Sequence, residues 1–273
     1  MSDLSFATGS SLSITRNGRH LLTQNLPAGR RAFIHPITVP DGRGLLTEDL
    51  PGHHPWQRGL YAGFNLVNGI GFWREQPGDG SFNARLVGTP RSDGNNAAWT
   101  VESRWTHPDG TLMLTETQGW QLTATDRTYE LDLDWSLAAA IDIEIGEFMA
   151  GGVFLRMPFA PQRGATALNS EGLKDLDGEK QRARWVAVSM PLIGRDDGAG
   201  MAIMDHPDNP AHPVTWRIDG EYGISPSRVI AGSWKIPAGE TERYRFRVFA
   251  FCGPIVATEV EAAWDAFISG RNG

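Results

Sequence analysis

The sequence is short of cysteine, of lysine and of long apolar runs, and each shortage closes off a class of function. A single cysteine, Cys252, cannot form an internal disulfide and excludes zinc sites built from thiolates. It sits in the run Val248-Phe-Ala-Phe-Cys-Gly and reads as a small buried hydrophobe. Three lysines and a net charge of -7 leave no basic footprint for a nucleic-acid backbone. The longest uncharged stretch, Gly59 to Trp73, is too short and too rich in Asn and Gly to cross a bilayer. The start Met1-Ser-Asp-Leu-Ser-Phe lacks the basic and then apolar order of a signal peptide. No P-loop, Rossmann glycine fingerprint, GxSxG elbow or HExxH is present. What remains is a cytoplasmic chain with a small-molecule partner, no nucleic acid and no membrane.

What is abundant is strand. Tyr129, Leu131, Leu133, Trp135 and Leu137 alternate with Glu130, Asp132, Asp134 and Ser136, a strict period of two. Ile141, Ile143 and Ile145 repeat the pattern, as do Tyr244, Phe246 and Val248 against Arg243, Arg245 and Arg247. Weaker strands are expected at 32–39, 112–115, 120–124, 185–189 and 201–204. With 32 glycines and 17 prolines punctuating these runs, the pattern predicts an all-β antiparallel β-sandwich. No repeat or linker divides it, so residues 1–273 read as a single β-sandwich domain. One C-terminal helix is expected: Thr258-Glu-Val-Glu261 reads as a capping box, Val260, Trp264, Phe267 and Ile268 follow at helical spacing, and Gly270 ends it. The acidic and basic strand faces are expected to be solvated, because exposed ion pairs contribute little.

The chemistry gathers in three segments that hold five of the seven histidines. The richest is Thr47-Glu-Asp-Leu-Pro-Gly-His-His-Pro-Trp-Gln-Arg-Gly59, where Pro51 and Pro55 forbid a helix and stiffen a loop of titratable groups. Phe33-Ile-His35-Pro36 is the second. The third is Asp205-His-Pro-Asp-Asn209-Pro-Ala-His212-Pro-Val-Thr-Trp216, with proline at every third position. It reads either as a preorganised extended arm or as an irregular crossover whose Asp and Asn cap their own turns. Histidine moves protons near neutral pH and a carboxylate beside it orients it, so His53, His54 and His206 are the candidate proton carriers, with Glu48 and Asp205 as partners. Arg58 and Arg156 could hold ligand oxygens; Leu155 and Met157 put Arg156 on the opposite face of its strand. Ten tryptophans is a high number; most belong to a core, but Trp56 and Trp216 beside the histidines suit a sugar ring. His35, Asn209 and His212 complete the ligand-binding set. A divalent ion on His35, His53, His54, His206 or His212 with an acid is the alternative, without any fixed ligand spacing behind it. No metal or other cofactor is otherwise expected.

At His35-Pro, Thr47-Glu-Asp, His53-His-Pro-Trp-Gln-Arg-Gly-Leu60, Val67-Asn-Gly and Phe72-Trp73 the sequence resembles the PmoA-like family. Gly151-Gly152 with Arg156, Arg182-Ala-Arg-Trp185-Val and the Asp205–Trp216 segment extend the resemblance to about residues 31–250. The family shows His-Pro-His-His-Arg-Gly in the loop, and here Trp56 and Gln57 stand where its second and third histidines are expected. The resemblance implies a sandwich similar to the galactose-mutarotase supersandwich and a link to carbohydrate metabolism. The family's label refers to a membrane-embedded oxygenase subunit, for which this chain has no spanning segment. Taken together, the expectation is a carbohydrate-processing enzyme of epimerase, lyase or hydrolase type, using His/carboxylate acid/base chemistry. A non-catalytic carbohydrate-binding module and a metal-dependent enzyme are the alternatives.

Overall fold

The computed structural model describes residues 4–270. The alternating stretch 129–137 lies in strand Thr128–Ala139, with Leu131, Leu133 and Trp135 buried. Two eight-stranded sheets pair antiparallel and face each other. The first runs from Leu4–Thr8 at one edge through Phe33–Ile37, Leu60–Phe64 and Gly151–Leu155 to Trp216–Ile218 at the other. The second runs from Thr166–Asn169 through Ala199–Asp205, Thr241–Cys252 and Thr128–Ala139 to Ser81–Asp93. A four-stranded sheet that includes Ile143–Ile145 sits beside them.

One contiguous apolar cluster fills the space between the sheets. Phe64 of the first sheet stacks on Trp135 of the second with centroids 5.6 Å apart. Burying an indole removes roughly 150–250 Å² from water, but its N–H must then find an acceptor. Glu116 supplies one from inside the core: Trp105 and Trp135 donate to its carboxylate at 2.9 and 2.7 Å, and Gln118 donates at 2.7 Å. Burial pushes this carboxyl above its ordinary value, against three donors that favour its charge. Trp99 donates to Gln24 and Trp120 to Gln118, so four tryptophans are explained by the core alone.

Helix α1, Ala257–Ile268, is the only α-helix among the described residues and lies on the outer face of the second sheet. Its start differs from expectation. Val256 is the N-cap, no side chain caps it, and Glu261 instead reaches the sheet, accepting from Trp185 at 2.7 Å and pairing with Arg184. A longer-range indole and guanidinium have taken the carboxylate that a capping box needs. The strand charges also pair where solvation is expected. Under α1, Arg247 is fully buried, bonded to both Asp132 oxygens at 2.6 and 2.9 Å and 3.0 Å from Glu130. Burial is what turns a weak surface pair into a required one. No helix among the described residues is long and apolar enough to cross a membrane.

Asp41 latches two surface loops, since Arg195 donates to its oxygens at 2.7 Å. Burial opposes the Asp41 charge, but the Arg195 guanidinium and the Arg43 amide outweigh it and hold the carboxyl at about 2. A carboxyl depressed by folding contributes stability above its unfolded value of 3.8, and that contribution is lost as pH falls toward about 2. Denaturant titrations of the wild type and Asp41→Asn should therefore differ above pH 4 and converge toward pH 2. A difference that does not shrink across that window contradicts the latch.

Candidate active-site cleft

The loop at 47–59 folds as a compact hairpin pinned on strand Leu60–Phe64. Leu50 donates to the Gln57 carbonyl at 2.8 Å, Gln57 to the His54 carbonyl at 3.0 Å, and Gly59 to the Glu48 carbonyl at 2.7 Å. Gly59 has φ +69°, and a Cβ there would come within 2.6 Å of the Ile34 carbonyl, so no side chain fits. The loop thus sits on the outer face of the first sheet, away from the inter-sheet core.

Arg156 fastens the loop to the opposite wall. Its guanidinium donates to Gln57 of the loop at 2.5 Å, to Asp219 at 2.6 Å and to the Glu221 carbonyl at 2.9 Å. Its carbonyl accepts from the Glu48 amide and its amide donates to the Gly59 carbonyl. Asp219 also shapes its own turn, accepting from the Glu221 and Gly223 amides at 3.1 and 2.7 Å. Gly223 leaves room for this crossing, because a Cβ would meet Phe154, the Arg156 guanidinium and the Asp219 carboxylate within 2.7 Å.

Between these walls His53, His54 and Glu221 place one ligand atom each within 4.8 Å of one another. The His54 ring meets His53 and Trp56 edge-on at 4.9 and 5.2 Å. Burial, then the Arg156 charge, lowers its proton affinity, against Glu221 and Asp219 which raise it. The balance favours the neutral imidazole. Nδ1 of His54 and Oε2 of Glu48 are both buried without a hydrogen-bond partner. Burial raises the Glu48 carboxyl, opposed by Arg156 and His53. The cleft beside this cluster has Trp56, Trp73, Phe154 and the exposed Met149 as apolar wall, with Arg74 and Arg217 at its edge. Arg74 lies 5.0 Å over the Trp56 ring, while Arg217 is paired with Glu179.

The structure brings two of the three sequence segments together. His35 shares a hydrogen bond of 3.0 Å with Thr47 and is half-buried, its proton affinity lowered by burial against the pull of Asp49. The third segment lies elsewhere. Burial, then the Arg245 charge, lowers the proton affinity of His206, against Asp208 and Asp205, which raise it. His206 bonds Arg245 at 3.0 Å and packs on Phe267 of α1. Asp205 is buried and accepts from Asn209, His212 and the Val214 amide. The segment is a crossover between the two sheets whose polar groups satisfy one another, which removes His206, Asp205, Asn209 and His212 from the cleft.

Three further assignments change. Trp216 is fully buried in the core with its N–H on the Ala183 carbonyl, so it faces no ligand. Arg156 has no exposed surface and each of its three guanidinium nitrogens already has an acceptor, so it positions rather than binds. Arg58 is buried beneath Phe33, 3.6 Å from Asp49 and 3.7 Å from Glu75. Sequence reasoning missed Asp219, Glu221 and Arg74. The signal for the first two is Asp219-Gly220 with Gly223 downstream, a turn signature that says where the chain reverses but not what it faces.

The fold and cleft define an antiparallel β-sandwich that carries a His/carboxylate cluster on the outer face of one sheet. Over residues 11–265 the sequence matches the Family of unknown function (DUF6807), and the chain belongs to that family. No curated protein matches it. Among solved structures, galactose 1-epimerase from Lactobacillus acidophilus NCFM is similar at 9% identity and TM-score 0.43, over 93% of this chain and 99% of that one. A galactose mutarotase related enzyme from Lactobacillus acidophilus is similar at 7% identity and TM-score 0.39, over 93% and 98%. A GH36 alpha-galactosidase from Geobacillus stearothermophilus is similar at 12% identity and TM-score 0.41, and the match spans 41% of that longer chain. No residue of the cleft is carried over from them.

Breaking the Arg156 tie strands a buried Asp219 charge, which costs about 3–5 kcal/mol for such a pair. Arg156→Ala should lower unfolding stability by that order in urea, and Arg156→Ala/Asp219→Ala by far less than the sum of the single changes. Additive losses would show that the two do not act as one tie.

Proposed function

We propose that the chain is a carbohydrate-processing enzyme that acts on a sugar or an oxidised sugar by general acid/base chemistry. The observation that carries this reading is the meeting of His53, His54 and Glu221 within 4.8 Å beside a cleft walled by Trp56 and Trp73. A flat aromatic face alone would suit a binding module. Titratable groups at its centre favour turnover, because proton transfer needs a base and an acid in reach of one ring. The resemblance to the PmoA-like family points to carbohydrate as well.

In this reading a sugar ring lays its apolar face on Trp56, the partly exposed indole of the cleft, and turns its hydroxyls toward the loop. His54, neutral because it is buried, accepts a proton from a hydroxyl or from a carbon beside a carbonyl. Glu221 favours the charge that His54 then carries, and Glu48, whose burial raises its carboxyl, can supply a proton to a developing alkoxide. Gln57 and Arg156 hold the loop so that these groups keep their places. Epimerisation and elimination both require no more than this.

Proton exchange and turnover on a panel of reducing sugars and uronates, followed by NMR in heavy water, test the reading. His54→Ala and Glu221→Gln should each slow turnover by about 10²-fold or more, with the thermal transition intact. His206→Gln should leave it unchanged, since that side chain lies beside α1. Full activity in His54→Ala sinks the assignment, and a loss confined to His206→Gln moves the site to the crossover.

A further inference from the structure

We infer that His53, His54 and Glu221 form a binding site for one divalent transition-metal ion at the head of the cleft. The inference rests on the proposed use of the same cleft for a sugar but concerns what the cleft holds: with an ion bound, His54 and Glu221 would serve as its ligands, and the proton transfers would fall to Glu48 and to water on the ion. Two imidazoles and a carboxylate are a donor set of catalytic zinc sites, which keep a further position open for water or substrate. Nitrogen and oxygen donors without thiolate suit zinc, manganese, iron, cobalt or nickel.

The geometry is close to what such an ion requires. Ligands at about 2.1 Å around a tetrahedral centre stand about 3.4 Å apart, and here the three candidate atoms lie within 4.8 Å of one another. Side-chain rotation covers that difference: His53 is exposed, while His54 and Glu221 are half-buried at the loop and turn. The backbone on both sides is fixed by the Arg156 tie, so bringing the rings inward does not require the loops to move.

Charge and unsatisfied valence point the same way. Asp219 neutralises the buried Arg156 at 2.6 Å. Glu221 pairs with no arginine, lysine or histidine among the described residues, which leaves its carboxylate uncompensated. Glu48 is close by, with Oε2 buried and unbonded. Nδ1 of His54 is likewise buried and unbonded, a costly state for a ring nitrogen that nothing else relieves. An ion held on three protein ligands would leave open positions for a sugar hydroxyl or carboxylate oxygen, and could polarise a carbonyl there.

The test uses the full chain, stripped with chelator and titrated with Co²⁺ and Zn²⁺. We expect one equivalent of Co²⁺ with visible d–d absorption, displaced by Zn²⁺, and a Kd weakened about tenfold or more in His54→Ala and in Glu221→Gln. Circular dichroism confirms that each variant is folded, and Glu221→Gln keeps the test valid if His54→Ala is not. Unchanged binding in His212→Ala supports the assignment further. No stoichiometric uptake, or uptake indifferent to Glu221→Gln, overturns it. Sugar turnover that persists in chelator after failed uptake would leave the acid/base reading standing while the ion falls. Stoichiometric uptake without turnover on any sugar would do the reverse.

Discussion

The buried Arg156 guanidinium is the interaction on which the cleft depends. A charge with no exposed surface is tolerated only when paired and hydrogen-bonded, so it fixes whatever it bonds. Here those partners are Gln57 on one wall and Asp219 with the Glu221 carbonyl on the other. Gln57 serves as the loop's acceptor for Arg156. The arginine therefore does not meet a ligand; it decides how far apart the groups that could meet one are held.

The sandwich makes such a cleft affordable in stability terms because the two sheets do their work on their inner faces. Glu116 and Gln118 absorb the indole N–H groups that the core would otherwise strand. The outer face of the second sheet is covered by α1, anchored through Glu261 and over Arg247. The outer face of the first sheet carries a small buried aromatic cluster, Phe33, Tyr61, Trp73 and Phe154, and the partly exposed Trp56 packs against it. A polar loop laid across an apolar patch gives a site with both kinds of surface.

Thr128–Ala139 was legible because it alternates as a half-covered strand must, and Thr241–Cys252 only over its first half, before its second face is covered as well. Leu60–Phe64 and Gly151–Leu155 were not, because both of their faces are covered and the period disappears. Half of the site was legible for a local reason: prolines and titratable side chains fall within 13 residues of one loop. Its other half was not, because Asp219 meets Arg156 across 63 residues of sequence. The Asp205–His212 segment misled for the same reason in reverse, as its polar side chains are turned on one another rather than on a ligand.

The claim that the cleft under the 47–59 loop is where this protein meets its ligand can be tested by following the ten indole N–H signals during titration with a panel of sugars and uronates. One of these compounds should shift Trp56 and its cleft neighbour Trp73 while leaving Trp185, Trp216 and Trp264 in place. Shifts that favour the latter three would contradict that claim.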